Sequence, residues 1–166
     1  YGKTIGVLGL GAIGKGVVKR ASGFDMKIYG YDIVRDDAFL QEHHVTFSDV
    51  DTIIRECDFI SLHLPLTAET RHILNKDNLA QAKNNLIIVN TARGGLIDED
   101  DLYVLLKENK IYGLGLDVFE QEPLESSLLL SLPNVIVSSH TAASSQGAIN
   151  AMSTMAVDNL IQSLEQ

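Results

Sequence analysis

Three side chains suited to proton and carboxylate chemistry fall late in the chain, each shortly after an apolar run. Arg93 sits inside Thr91-Ala92-Arg93-Gly94-Gly95. A planar, two-pronged guanidinium suits a carboxylate, and the glycines beside it leave the backbone free to aim it. His140 follows the apolar run 134–138. Histidine is the side chain whose ordinary pKa lies nearest neutrality, which suits passing a proton to and from a hydroxyl. Glu122 precedes Pro123 and follows Asp117 by five residues. A carboxylate beside an imidazole favours the protonated ring and fixes its tautomer. Each residue also has a plainer reading: Arg93 as a surface cation, Glu122 as a solvated acid, His140 as a satisfied histidine at a strand end.

These residues must be positioned by the elements before them, and the first of those elements is the most telling. Residues 4–8 are an apolar run, followed at once by Gly9-Leu10-Gly11-Ala12-Ile13-Gly14. Next comes a helical pattern (Ile13, Val17, Ala21, Phe24), then a second apolar run, 26–31, which stops on Asp32. Strand, G-x-G-x-x-G, helix, strand and acid form the dinucleotide-binding fingerprint. Gly9 permits a tight turn, Gly11 admits a pyrophosphate to the backbone, and Gly14 lets the helix pack close to the strand. The free N–H groups at the helix start attract phosphate. Asp32 can accept hydrogen bonds from a ribose diol and would repel a 2′-phosphate, which favours NAD over NADP.

The same alternation continues to the end of the chain. Strands are predicted at 4–8, 26–31, 58–62, 86–89, 111–116 and 134–138, with 45–47 either a strand or a loop. Helices are predicted at 12–23, 49–56, 75–82, 99–108 and 145–164. Ser48 with Asp51, and Asp98 with Asp101, read as helix caps with first-turn acids. The last helix carries Ile149, Met152, Ala156, Leu160 and Leu164 at spacings of three and four, which predicts one apolar face packed on its own sheet. Alternating strands and helices imply an α/β fold: a doubly wound parallel sheet in three layers. In such a sheet the carboxyl ends of the strands share one edge, where ligands bind. Asp32, Arg93, Asp117, Glu122 and His140 therefore belong around one crevice. An arginine, an acid–imidazole pair and a nicotinamide together suit hydride transfer on a 2-hydroxy or 2-keto acid, with Asp117 placed to hold the nicotinamide carboxamide. Of the other histidines, His43 and His44 read as loop residues and His72 lies in a charged stretch. His63 ends the third run and lines the cofactor edge.

Composition excludes several alternatives. The chain has 166 residues and a net charge of −9, so no basic cluster exists to bind nucleic acid. No apolar run approaches the roughly 20 residues needed to span a membrane. The single cysteine, Cys57, follows a predicted helix and reads as a buried thiol, in keeping with a reducing cytoplasm. No Cys/His/acid spacing suggests a metal site. No internal boundary is visible, so residues 1–166 read as one dinucleotide-binding domain, and a first residue of Tyr rather than Met suggests a piece of a longer chain.

Four segments in order resemble the NAD-binding domain of the D-isomer-specific 2-hydroxyacid dehydrogenases: Gly9 to Gly14, Leu62-His63-Leu64-Pro65-Leu66-Thr67, Asn90 to Asp98, and Leu116-Asp117-Val118-Phe119-Glu120-Gln121-Glu122-Pro123. The resemblance implies catalytic roles for Arg93, Glu122 and His140. It implies a cofactor site drawn from Gly9, Gly11, Ala12, Ile13, Gly14, Asp32, Leu64, Pro65, Thr91, Ala92, Arg93, Asp117, His140 and Ala143. Tyr31-Asp32 and His140-Thr141-Ala142-Ala143-Ser144 are most similar to the 3-phosphoglycerate dehydrogenase branch, whose pathway is serine biosynthesis. Two departures are clear. Ser139 replaces the usual proline before the histidine, and Ala12 replaces an arginine found in many members. The resemblance further implies a missing substrate-binding domain, a homodimer formed through this domain, and little activity for the domain alone. Two other classes compete: a non-catalytic NAD(H)-sensing module, and a methyltransferase using the glycine turn for a nucleoside.

Overall fold

The computed structural model describes residues 1–164. Its strands are β1 (Thr4–Leu8), β2 (Lys27–Tyr31), β3 (Thr46–Phe47), β4 (Phe59–Leu62), β5 (Ile87–Asn90), β6 (Gly113–Leu116) and β7 (Val135–Val137). Its helices are α1 (Ala12–Ser22), α2 (Asp37–Glu42), α3 (Val50–Glu56), α4 (Lys76–Leu79), α5 (Glu99–Lys107) and α6 (Gln146–Leu164). The strands are parallel throughout, in the order β3-β2-β1-β4-β5-β6-β7. The chain winds outward from β1 to β3, returns to the middle, and winds the other way from β4 to β7. This is the doubly wound α/β arrangement, and its switch point lies between β1 and β4.

The period-2 alternation of each strand divides the interior into two cores. On one face Leu8, Ile60, Leu62, Ile88, Leu114 and Leu116 pack with Ile53 and Ile54 of α3 and Leu102, Leu105 and Leu106 of α5. On the other, Val7 and Ile28 pack with Val18 and Ala21 of α1 and with Phe39 and Leu40 of α2. Cys57 is fully buried in the first core, and burial pushes its thiol pKa up to about 12, so it stays protonated and unreactive.

Several elements differ from the sequence reading. The uncertain run at 45–47 forms the short edge strand β3. Helix α2 was not expected; it is capped by Asp36, whose side chain accepts from the Phe39 N–H. Helix α3 is capped by Asp49, not Ser48; the Asp49 carboxylate accepts from Thr52 N–H at 2.7 Å. Asp98 does cap α5, accepting from Asp101 N–H at 3.0 Å. The expected helix at 75–82 has only four α-helical residues. On α1 the buried stripe is Gly14, Val18 and Ala21. Ile13 and Phe24, expected on that face, are 71% and 68% exposed. The cause is steric: a Cβ on Gly14 would lie 1.8 Å from the Gly9 carbonyl oxygen, so only a glycine lets α1 sit this close.

The last helix departs most. Helix α6 buries no residue, and Ile149, Met152, Met155, Leu160 and Ile161 all face outward. It does not pack on the sheet. The face it was expected to cover is bare over one half of the sheet. Ser61, Val89, Gly115 and Ile136 are register neighbours across β4 to β7, and there Val89 is 36% and Ile136 77% exposed. The resulting groove, of about 830 Å³, is lined by Ile87, Val89, Tyr112, Leu132 and Ile136 among others.

The glycine turn separates packing from openness, and substitutions should read the two apart. Gly14→Ala forces α1 away from β1 and should lower stability to urea by about 1–3 kcal/mol. Gly11, whose added Cβ would meet nothing within 4 Å, should tolerate alanine to within about 0.5 kcal/mol in the same measurement.

Candidate active site

The glycine turn leaves β1 at Gly9, which adopts φ 102° and whose added Cβ would lie 2.5 Å from the His63 backbone. Both facts require glycine there. Gly11 is the N-cap of α1, with no side-chain cap and no acid in the first turn. The N–H groups of Ala12, Ile13 and Gly14 precede the first intrahelical bond, Lys15 N–H to Gly11 C=O at 2.9 Å. An uncapped 11-residue helix with open space over Gly11 is a cradle for an anion. At the end of β2, Asp32 accepts the Leu10 N–H at 2.6 Å and the Val34 N–H at 3.2 Å, which fixes the acid at the mouth of the turn. The residues present therefore fit a dinucleotide: donors for a pyrophosphate, and an acid one strand away for a ribose.

The β4 end supplies His63, Leu64 and Pro65. His63 Nε2 lies 2.8 Å from Ser61 Oγ, and burial lowers its pKa, favouring the neutral ring. Leu64 is buried, whereas Pro65 is exposed with its carbonyl accepting from Thr70 Oγ1. At the β5 end a residue given no role in the sequence reading does the shaping. The fully buried Asn90 accepts from Ala92 N–H at 3.1 Å and donates to Arg93 C=O at 2.8 Å. The signal was a polar residue closing an apolar run. The loop runs past Thr91 and Ala92 to Arg93, whose side chain is exposed and whose Nη1 donates to the Ala92 carbonyl. Among the described residues Arg93 makes no ion pair, so its guanidinium is free for a ligand.

The β6 end carries the two acids. Asp117 is 3% exposed. Its carboxylate accepts from Ser138 Oγ at 2.5 Å, Thr141 N–H at 2.8 Å and Ala142 N–H at 2.7 Å. Burial pushes this carboxyl up, but those three donors together hold it below the usual carboxylate value. The sequence reading gave Asp117 to the nicotinamide carboxamide; in the structure its carboxylate is engaged by the histidine loop. Ser138, like Asn90, was assigned no role from sequence. Glu122 lies beyond the turn, with Oε1 accepting the Phe119 N–H at 3.0 Å and Oε2 lying 2.7 Å from His140 Nδ1. The His140 contact first, then the Phe119 N–H, holds the Glu122 carboxyl below its ordinary value.

His140 itself adopts φ 55°, in the left-handed region. Such a backbone persists only where its surroundings hold it, and Asp117 does so by gripping the next two N–H groups. Ser139 in place of proline leaves the ring within hydrogen-bond reach of Glu122. With Nδ1 turned to the carboxylate, Nε2 is the remaining ring nitrogen for a substrate. Ala143 is exposed on the same loop. The structure thus brings His140, Glu122 and Asp117 together directly. It brings the Arg93 loop beside them through backbone contact: a Cβ on Gly94 would lie 1.9 Å from the Phe119 carbonyl carbon. No hydrogen bond or ion pair among the described residues joins the Arg93 side chain to Glu122 or His140.

Residues 1–142 match the family model described as "D-isomer specific 2-hydroxyacid dehydrogenase, NAD binding domain". The hydroxypyruvate reductase of Thermotoga maritima is 46% identical over 98% of this chain and 53% of its own length. The D-3-phosphoglycerate dehydrogenase of Methanocaldococcus jannaschii is 48% identical over 96% of this chain and 31% of its own. Among solved structures, a glyoxylate reductase from Paecilomyes thermophila superposes with a TM-score of 0.92 at 35% identity, covering 99% of this chain and 50% of that one. The chain spans about half or less of the length of these relatives. No helix among the described residues is long and apolar enough to cross a membrane. The chain belongs to the D-isomer specific 2-hydroxyacid dehydrogenases, as the NAD-binding domain of that family.

Proposed function

We propose that this chain is the coenzyme half of a two-domain dehydrogenase that interconverts a short 2-keto acid and its D-2-hydroxy acid. The observation that carries the reading is the 2.7 Å contact between His140 Nδ1 and Glu122 Oε2, with an unpaired arginine on the adjoining loop. When bound, the reduced coenzyme supplies the hydride that goes to C2 of the keto acid. Gly11 and the N–H groups of Ala12, Ile13 and Gly14 bind its pyrophosphate, and Asp32 binds its ribose. His140 gives its Nε2 proton to the carbonyl oxygen, so that C2 gains hydride and the oxygen gains a proton. In the reverse direction His140 takes the hydroxyl proton. Glu122 stabilises the imidazolium and holds the ring in one tautomer. Arg93 binds the substrate carboxylate and polarises the carbonyl.

For the substrate, the relatives named for glyoxylate, hydroxypyruvate and 3-phosphoglycerate all support a compact 2-hydroxy acid and its 2-keto partner. Within that class we favour 3-phosphoglycerate, on the 48% identity of the phosphoglycerate dehydrogenase relative. The competing reading, a coenzyme sensor of the same fold, leaves the pairing of His140 with Glu122 and the free guanidinium of Arg93 without a task. We further propose that a second copy of the protein covers part of the bare face of β4–β7, giving a homodimer through this domain. A buried unreactive Cys57 suits the reducing cytoplasm.

Three outcomes follow. The chain by itself should bind NAD, measurable by calorimetry, yet show no steady-state turnover of a 2-keto acid with NADH, because nothing closes over the substrate. In the full-length protein, His140→Ala should lower kcat by roughly 10²- to 10⁴-fold with unchanged NADH affinity; retained turnover would favour the sensor. Ile136→Asp places a charge on the bare face and should shift the full-length dimer to monomer in sedimentation velocity, whereas an unshifted dimer means that face is covered by something else.

A further inference from the structure

Between α4 and the Arg93 loop lies a side-chain junction that the chemistry above does not use. His72 sits at φ 51°, in a backbone region that a non-glycine residue seldom adopts. Its Nε2 is 3.1 Å from Glu120 Oε2, and its Nδ1 is 3.2 Å from Asp98 Oδ2. Its backbone N–H donates to the Gly95 carbonyl at 2.8 Å. One residue therefore reaches three segments. Gly95 belongs to the Arg93 loop. Asp98 caps α5, which that loop enters. Glu120 lies two residues before Glu122.

Glu120 is held from every side. Its Oε1 accepts the Glu99 N–H at 3.1 Å, while its own N–H donates to Glu99 Oε1 at 2.6 Å. Arg71 Nη2 stands 3.5 Å from the same Oε2 that faces His72. The reciprocal Glu99–Glu120 clasp sets two carboxylates close together, and burial first, then the charge of Glu120, raises the Glu99 pKa. His72 Nε2 and Arg71 Nη2 are the side-chain nitrogens that face the clasp. Both ring nitrogens of His72 face a carboxylate, and only a doubly protonated ring donates to both. Asp98, Glu99, Asp100 and Glu120 are the acids of this cluster, with His72 and Arg71 the bases.

We propose that His72 is a positioning residue: by tying Gly95, Asp98 and Glu120 together, it fixes the spacing between the loop of Arg93 and the loop of Glu122. No hydrogen bond joins those two catalytic side chains, so their mutual placement depends on contacts behind them. The backbone of Gly94 against Phe119 supplies one, the Glu99–Glu120 clasp a second, and His72, which alone of the three reaches Gly95, Asp98 and Glu120 together, a third. A shift of an ångström between a carboxylate-binding guanidinium and a proton-transferring imidazole degrades the reaction without weakening coenzyme binding. The proposal rests on the dehydrogenase reading for its kinetic consequence but not for its geometric one.

The test uses the full-length protein, with His72→Ala and His72→Gln, the latter keeping one donor toward Glu120. Turnover is measured with 3-phosphoglycerate and NAD, and with glyoxylate and hydroxypyruvate and NADH, using the best of the three couples, alongside the Glu122 carboxyl titration by carbon-detected NMR. In His72→Ala, kcat should fall roughly 10- to 100-fold, while the KM for the coenzyme stays within about twofold. The Glu122 titration should rise toward the ordinary carboxylate value as its contact with His140 loosens, and His72→Gln should recover part of both effects. An unchanged kcat overturns the proposal, as does a lost kcat with the Glu122 titration unmoved. Should His72→Ala fail to fold, His72→Gln against the parent decides by the same two readouts. Should the parent itself lack turnover, the dehydrogenase reading fails separately and the Glu122 titration alone decides the role of His72.

Discussion

The candidate site depends on one buried carboxylate. Asp117 closes β6, and its own N–H donates to the Asn90 carbonyl of the neighbouring strand end. Its side chain then accepts four hydrogen bonds from residues 138–142, the Thr141 hydroxyl making the longest at 3.5 Å. A carboxylate taken from water must be compensated, and charge-assisted hydrogen bonds are the strong form of compensation. That requirement turns a loop into a fixed object. The loop leaves the exposed strand β7 and enters a helix with no buried face, so neither neighbour can hold it. Asp117 holds it instead, and His140 inherits its position from those bonds. The pairing of His140 with Glu122 is downstream of this anchor, since Glu122 follows β6 and the loop of His140, which follows β7, is bound to Asp117 at the β6 end.

Particular residues show what was legible in the sequence and what was not. The glycine turn was, because each glycine answers a local need: a positive φ at Gly9, a close approach at Gly14. The strand ends were legible for a similar reason, since each apolar run stops on a polar residue at one edge of the sheet. The roles of Asn90 and Ser138 were not. Both are small polar residues that could as easily face water, and only the fold brings Asn90 to the backbone of Arg93 and Ser138 to Asp117. The N-cap of α3 is Asp49 and not Ser48 because the Ser48 N–H still donates across the sheet, to the Gly30 carbonyl at 3.0 Å, so the helix starts one residue later. The face of α1 was misread because hydrophobicity pointed to Ile13 and Phe24 while sterics pointed to Gly14. Where the two conflict in a close-packed layer, sterics decide, since a collision of 1.8 Å cannot be relaxed by rotating a side chain.

Helix α6 failed for a different reason. Its apolar spacing is real, but periodicity reveals only that a face wants burial, not what will bury it. The bare strip along Ser61, Val89, Gly115 and Ile136 poses the same question from the sheet side. A parallel sheet ordinarily has both faces covered, and here one face is covered only over β1 to β3 by α1 and α2. The chain thus carries two exposed apolar surfaces, one on α6 and one on the sheet. The chain spans about half the length of its glyoxylate reductase and hydroxypyruvate reductase relatives.

The division between held and free groups follows the chemistry each is asked to do. In the proposed reaction a proton is passed over a short, fixed distance, and the imidazole is held at its backbone by the Asp117 bonds and at its ring by Glu122. In that proposed reaction a carboxylate is admitted and released, and the guanidinium of Arg93 is without an ion partner among the described residues. Its backbone is nevertheless fixed by Asn90 on one side and by Gly95, bound to His72, on the other. A site whose arginine were locked into an internal salt bridge would have to break that bridge for each substrate, and one whose histidine were free would lose the pre-paid orientation that makes transfer fast. The observed arrangement, a clamped acid–imidazole pair beside a tethered but unpaired arginine, avoids both costs.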